Sequence, residues 1–262
     1  MTPPEEVAGF HFPLSSLENI DAAENRHFWM RVRRHLVIRL LERYRASPSF
    51  HVLDIGCGAG GMIASILDRF PSATGTGIDG CNEALERSRR RSKVATFLHQ
   101  DFREPWSSSL HNAFDVAISM DVIEHLDDPL RVLNEAHRSL KSGGLLIVGV
   151  PASMALWSDR DVFLGHRTRY DLSGLKRLCV EAGFSVEHGS YFFSYMALPA
   201  YVYRKILAPL LRQNGKKMES IEMRTVPVLN GILECIGRIE VELSLRMPLP
   251  FGSSVYCLAR KI

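Results

Sequence analysis

His51-Val52-Leu53-Asp54-Ile55-Gly56-Cys57-Gly58-Ala59-Gly60-Gly61 is the stretch whose reading decides the fold. An apolar, β-prone run carries a single acid, breaks into a glycine-dense turn and feeds a helix-like segment from Met62 to Phe70. Strand, tight loop and helix N-terminus, in that order, make the place where open α/β sheets bind nucleotide-like ligands. The glycines supply positive φ and let a ligand approach the main chain closely.

Gly56, Gly58 and Gly61 also satisfy the dinucleotide spacing G-x-G-x-x-G, so the glycines leave a nicotinamide cofactor and another adenosine-bearing one both open. Asp54 separates them. Two like charges about 4 Å apart cost roughly 4 kcal/mol at an effective dielectric near 20, so a carboxylate just before the first glycine disfavours a pyrophosphate in the loop. A sulfonium bearing an α-amino group suits that position. At this point the chain resembles motif I of the class I S-adenosylmethionine-dependent methyltransferases. The plain alternative is a buried acid capping a loop in an α/β domain of another kind.

Downstream, strand and helix signals alternate. Thr74 to Asp79 reads as a second strand, Asn82 to Lys93 as a helix and Ala95 to Gln100 as a third strand ending in Asp101-Phe102. Asp79 stands about twenty residues beyond the glycines, where a carboxylate accepts both hydrogen bonds of a ribose diol. The resemblance assigns Asp101 to the adenine amino group and Phe102 to covering the ring. It thereby implies a cofactor site for S-adenosyl-L-methionine made by Asp54, Gly56, Cys57, Gly58, Asp79, Gly80, Asp101, Phe102 and Met120.

Phe114 to Met120 is a fourth strand running into Asp121-Val122-Ile123-Glu124-His125; a helix over Leu130 to Leu140, a Lys141-Ser142-Gly143-Gly144 turn and a fifth strand over Leu145 to Val150 follow. This segment resembles the D/E-V-I-E-H motif, helix, K-P-G-G turn and strand of small-molecule and quinone O-methyltransferases, departing from the turn at Ser142. Such intervals predict right-handed crossovers and a doubly wound parallel sheet, and the resemblance implies the mainly parallel seven-stranded sheet of the Rossmann-like methyltransferase type. Some relatives with this motif bind a divalent ion through two acids and a histidine, with a second histidine completing the site. Asp121, Glu124 and His125 share a face if the turn is helical. Metal is nonetheless not the favoured reading, because Asp121 has a shorter arm than the glutamate it replaces.

Pro151 to Tyr170 is an irregular insertion containing Asp159-Arg160-Asp161 and Gly165-His166-Arg167-Thr168-Arg169-Tyr170, expected to overhang the reactive methyl. Methyl transfer needs a base only where the nucleophile holds its proton, and the candidates are His166, His125 and Tyr170. For each, a purely structural hydrogen-bonding role weighs as much. A helix over Asp171 to Ala182, with Asp171 as its cap, and a strand over Phe184 to Phe192 complete this part.

The flanks are less regular. Residues 1–48 read as a proline-rich arm and an amphipathic helix whose apolar stripe runs from Trp29 to Tyr44 and whose opposite face carries seven arginines between Arg26 and Arg45. That basic face reads as solvated, with phosphate attraction as the sharper alternative. His27, Phe28 and Trp29 read as packing first and as a cofactor lid second. The core spans 49–192 and its final strand 253–262, so 193–252 is a helical insertion. Helices are predicted there over Leu198 to Leu211 and Val228 to Leu245, joined by a polar link at Gln213 to Lys217. The stripe Leu229, Ile232, Ile236, Ile239 and Leu243 is expected to cover the sheet and pack on the N-terminal helix. Walling a hydrophobic pocket or docking at a membrane surface are the alternatives.

Bulk numbers set the outer bounds. A 262-residue chain with 46% hydrophobic and 23% charged residues is globular, and a net charge of +3 without an interleaved RNA-binding module gives nucleic acid no support. Five scattered cysteines without a C-x-x-C pair and no secretory signal point to a reducing cytoplasm. The longest uncharged run, His188 to Tyr203, is too short for a span of ~20 residues, so the chain is expected to lie on a membrane at most. These features predict methyl transfer to a small hydrophobic, isoprenoid, phosphate-bearing or lipid-linked acceptor, with O-methylation favoured. An NAD-dependent oxidoreductase and a non-catalytic adenosylmethionine-binding or scaffold protein are the rival readings.

Overall fold

A computed structural model describes residues 6–7, 10–11, 21, 23–45, 47–207 and 226–262. Most of the N-terminal arm, the end of the helix expected to reach Leu211 and the link at Gln213 to Lys217 lie outside the described residues. Glu6–Val7 (β1) and Phe10–His11 (β2) pair antiparallel.

Phe28–Tyr44 forms helix α1. His27 caps it, its Nδ1 accepting from the Trp29 N–H at 3.2 Å. Val32, Leu36, Val37, Leu40 and Leu41, at three- and four-residue spacing, are fully buried. The arginine face opposite is not simply solvated. Arg31 pairs with Glu234 at 3.0 Å, Arg39 with Glu242 at 2.6 Å, and Arg43 donates to the Leu245 carbonyl at 2.7 Å, so much of it fastens a second helix.

The central sheet is built from His51–Ile55 (β3), Thr74–Asp79 (β4), Thr96–His99 (β5), Phe114–Met120 (β6), Leu140–Pro151 (β7), Phe184–Phe192 (β8) and Ser254–Lys261 (β9). Helices Gly61–Arg69 (α2), Asn82–Arg91 (α3), Pro129–Ser139 (α4), Asp159–Phe163 (α5) and Leu172–Glu181 (α6) intervene. The strand order is β5-β4-β3-β6-β7-β9-β8, with β9 alone antiparallel to its neighbours. Adjacent residues of one strand serve opposite cores. Val52, Val116 and Leu145 pack with α1 and α2, whereas Leu53, Ala117 and Leu146 pack with α4 and α6. Period-two burial on both faces is what a sheet between two helical layers requires.

Two local expectations change. Lys141 to Gly144 is not a free turn but a bulge inside β7, since Phe114 pairs with Leu140 and Val116 already pairs with Leu145. The insertion forms Ser194–Val202 (α7), a π turn over Tyr203–Leu207, and Pro227–Ser244 (α8). Helix α8 faces the opposite way to the one expected. Leu229, Ile232, Ile236, Ile239 and Leu243 are 41–59% exposed, while Glu234, Gly237, Glu240 and Ser244 are buried. The inward side is held by polar bonds: the Asn230 side chain accepts from the Phe28 N–H and donates to the Arg26 carbonyl, both at 2.8 Å, and Glu240 accepts from the Ser194 N–H at 2.7 Å. Gly237 permits the close approach, because a Cβ there would come within 2.7 Å of Val32 and of the Tyr195 hydroxyl.

Candidate active site

Strand order reverses between β3 and β6, and a crevice opens at the C-terminal ends of the strands there. It is a cavity of about 630 Å³ reached by the glycine loop, the Asp121–His125 segment, the 151–170 insertion, the start of α1 and the inner side of α7.

On one wall the main chain bends back on itself. The Gly56 and Cys57 N–H groups both donate to the Ile78 carbonyl, at 2.8 and 3.1 Å, which locks the loop to β4. Gly56 has φ +69°, and a Cβ there would meet Val122 Cγ2 at 2.4 Å, so a side chain is barred both by strain and by space. Gly58, at φ +52°, faces open space within the cavity wall. Asp79 fastens the loop to α3 by accepting from the Gly58 and Cys81 N–H groups, each at 2.8 Å. Each carboxylate oxygen keeps a lone pair for a ligand hydroxyl.

Asp54 lies below this loop, 3% exposed, and its Oδ2 has no hydrogen-bond partner among the described residues. Burial, reinforced by Glu24 and Asp79, pushes its carboxyl up to about 8. Burial also raises Asp79. Three acids, Glu24, Asp54 and Asp79, therefore share one wall of the cavity. A cation fits there; a pyrophosphate does not.

Four of the residues named for the cofactor line this cavity beside Asp54 and Asp79: Gly56, Cys57, Gly58 and Met120. Three others do not. Phe102 is 2% exposed and packs toward Trp106, ring centroids 6.0 Å apart, in the core on the other side of the sheet. Asp101 receives the guanidinium of Arg103 at 2.7 Å and its N–H at 2.9 Å, a local turn that draws the carboxylate away. Gly80 contributes a carbonyl to His99. The wall at that end is instead Ala59, Cys81 and Ala84, small residues with no letter pattern to mark them.

The opposite wall carries the titratable groups. Asp161, on α5, accepts from His166 Nδ1 at 2.8 Å and from Arg169 Nε at 2.7 Å. Burial works against its ionisation, but the His166 hydrogen bond and Arg169 hold its carboxyl well below the usual range. An ionised Asp161 only accepts, so the proton of the pair sits on His166 Nδ1 and Nε2 is left as the basic nitrogen. His125 lies edge-on to His166, centroids 4.7 Å apart, and burial with His166 nearby pushes it down to about 3. It is neutral at any ordinary pH. Tyr170 stands outside the residues that line the cavity; its hydroxyl donates to the Ile123 carbonyl at 3.4 Å and burial raises its pKa.

Glu124 is fully buried and neither carboxylate oxygen has a hydrogen-bond partner among the described residues. Burial, with Asp121 adding, holds it well above the usual range. Glu124, His125 and His166 each offer a ligand atom within 4.8 Å of one another. Asp121 is not part of this group, because Arg33 holds it at 2.8 Å. The metal set drawn from the motif as Asp121, Glu124 and His125 is thus replaced, geometrically, by one containing His166.

The start of α1 closes the cavity. Phe28 and Trp29 line it, and Trp29 stacks on Phe193 with ring centroids 4.1 Å apart and planes 9° apart. Packing and cavity wall are here the same role. Asp161, Arg33 and Glu24 were not anticipated as site residues, and only the clustering of charges around Asp159-Arg160-Asp161 hinted at the first.

A reversed strand order and a crevice at the switch point bordered by a glycine loop with buried acids define a class I methyltransferase-type cofactor domain. The chain belongs to the methyltransferase-domain family, whose sequence pattern matches residues 24–189. A probable S-adenosylmethionine-dependent methyltransferase of Mycolicibacterium smegmatis is 28% identical over 193 residues, 71% of each chain. A ubiquinone biosynthesis O-methyltransferase of Pseudomonas aeruginosa is 34% identical over 94 residues, 36% of this chain and 40% of that one. The chain spans less than half the length of several such relatives, 47% in a Streptomyces fradiae transposon protein. The Haloferax volcanii methyltransferase solved with its Trm112 activator superposes with a TM-score of 0.62 at 17% identity, over 94% of both chains, a likeness of fold.

Proposed function

We propose that this protein transfers a methyl group from S-adenosyl-L-methionine to a hydroxyl of a small, largely apolar acceptor. The observation that carries the reading is that Asp54, buried and without a partner at Oδ2, opens on the same cavity as the Asp161–His166 pair.

Asp54 complements the positive charge of the donor, while Glu24 is already paired with Arg91, and Asp79 accepts from its ribose. When bound, adenosylmethionine supplies a methyl on a sulfonium whose sulfur departs as a neutral thioether. His166 Nε2 takes the proton of the acceptor hydroxyl, while Asp161 fixes the ring and stabilises the imidazolium that forms. Neutral His125 orients the acceptor. Trp29, Phe28 and the apolar side of α7 keep water out and place the reactants, a contribution of roughly 7 to 11 kcal/mol when alignment is good.

Trp29, Met196, Pro199 and Tyr203 line the acceptor side together with Arg160, Arg169 and Arg204, which supports an apolar body with an anionic or phosphate-bearing end. The partly covered ubiquinone relatives support O-methylation of an isoprenoid-type acceptor. Calorimetry with adenosylmethionine, adenosylhomocysteine and NAD tests the cofactor; tight NAD binding without adenosylmethionine binding overturns it. Turnover with labelled donor on isoprenoid phenols and on polyprenyl phosphates tests the acceptor. Donor binding with no methylated product from any extract would leave a binding protein.

A further inference from the structure

We propose that the outward face of α8, with the exposed apolar residues of the π turn and of the segment before β9, docks on an anionic lipid bilayer. The proposal stands on the surface itself and does not require the acceptor assigned above.

Helix α8 is built inside out. Asn230, Glu234, Glu240 and Ser244 turn inward and are bonded to α1, Ser194 and Tyr256. The five stripe residues are left to solvent with Val228, 75% exposed, while Met247, Ile206 and Leu207 add 60%, 50% and 46%. The stripe residues make one continuous apolar face along α8, the kind of surface that marks an interaction site. Removing such a face from water is favourable.

Charge selects the occupant. The exposed charged residues on these elements are Lys205, Arg238 and Arg246. Acids are withdrawn: Glu240 is buried, Glu234 is buried and shared between Arg31 and Arg238, and Glu242 is held by Arg39 at 2.6 Å. An apolar face with a basic rim matches acyl chains beneath anionic headgroups. The three- and four-residue spacing of the stripe would also suit a second copy. Pairing like faces, however, sets Arg246 of both copies at one seam, where Glu234 is already taken up by Arg31 and Arg238 and Glu242 by Arg39. No helix among the described residues is long and apolar enough to cross a membrane, so contact is at the interface. The inner side of α7, at Met196 and Pro199, and Tyr203 of the π turn line the cavity, which sets the crevice next to this surface.

Flotation of the full chain with vesicles of phosphatidylcholine alone and of phosphatidylcholine with phosphatidylglycerol tests the proposal. Most of the protein should float with the anionic vesicles, and at least about tenfold less with neutral ones or in molar salt. Ile232→Glu with Ile239→Glu should abolish flotation, and Lys205→Gln with Arg246→Gln should weaken it several-fold. All variants should keep parental circular dichroism, melting and adenosylmethionine affinity, which separates lost docking from lost folding or a lost cofactor site. Protein that stays at the bottom with anionic vesicles, or flotation unchanged by both variant pairs, overturns the proposal. A stable dimer by light scattering that dissociates on Ile232→Glu with Ile239→Glu and does not float assigns the face to a second copy instead.

Discussion

His166 Nδ1 stands 2.8 Å from Asp161 Oδ1, and because an ionised carboxylate only accepts, the contact fixes Nδ1 as the nitrogen that donates. The same carboxylate accepts from the Ser158 N–H at 2.9 Å, so α5 is capped by the group that orients the histidine. One side chain ties the local fold of the insertion to its chemistry.

Asp161→Asn keeps an acceptor for the helix cap but presents an amide that can donate to Nδ1 and select the other tautomer. Methyl transfer measured in single turnovers should fall about 10²- to 10⁴-fold, with donor affinity changed no more than about threefold. His166→Gln should fall as far, and the double variant no further than either alone. A rate within a few-fold of the parent for Asp161→Asn would remove the tautomer argument.

Donor affinity should depend on pH through Asp54. Its carboxyl titrates near 8 in the free protein, and a cationic ligand binds the ionised form. Affinity should therefore rise with pH from 6 to 8, by at most about tenfold per unit, and level off above. The same shift makes the folded state hold its proton longer than the unfolded chain, so stability falls as pH rises from the ordinary carboxylate range toward 8. Asp54→Asn should bind the donor weakly at every pH and flatten both profiles. Calorimetry and thermal melts across that range read both effects.

Burial, with Asp121 nearby, raises the Glu124 carboxyl, and neither of its oxygens has a hydrogen-bond partner among the described residues. Turnover after exhaustive chelation should stay within about twofold of the untreated protein. Loss of activity restored by one equivalent of a divalent ion would mean that Glu124, His125 and His166 act as ligands, with the ion replacing the proton.

Asn230→Ala removes the acceptor for the first helical N–H of α1, contributed from 202 residues away. The loss should be about 1 kcal/mol, as for other caps, read as a melting temperature lowered by about 2–4 °C. Because Phe28 and Trp29 line the cavity at this end of α1, donor affinity should weaken several-fold in the same variant. Unchanged affinity would separate the cap from the cavity.

What the sequence determined by itself was everything governed by short-range rules. The alternation of strand and helix signals placed β4, β6 and β8 at the residues where they are found, and the glycines and Asp54 marked the loop at the edge of the crevice. Period and local turn chemistry act within a few residues, so the string of letters contains them. The tertiary structure alone decided three matters. The spacing of Leu229, Ile232, Ile236, Ile239 and Leu243 announced a stripe, but periodicity carries no direction, and the inward bonds of Asn230 and Glu240 turned that stripe to solvent. Phe102, in the turn after β5, packs into the opposite core, and Arg33, from far upstream, pairs with Asp121 at 2.8 Å. Such choices are made by competition between distant partners for one space or one charge, and that competition exists only once the chain is folded.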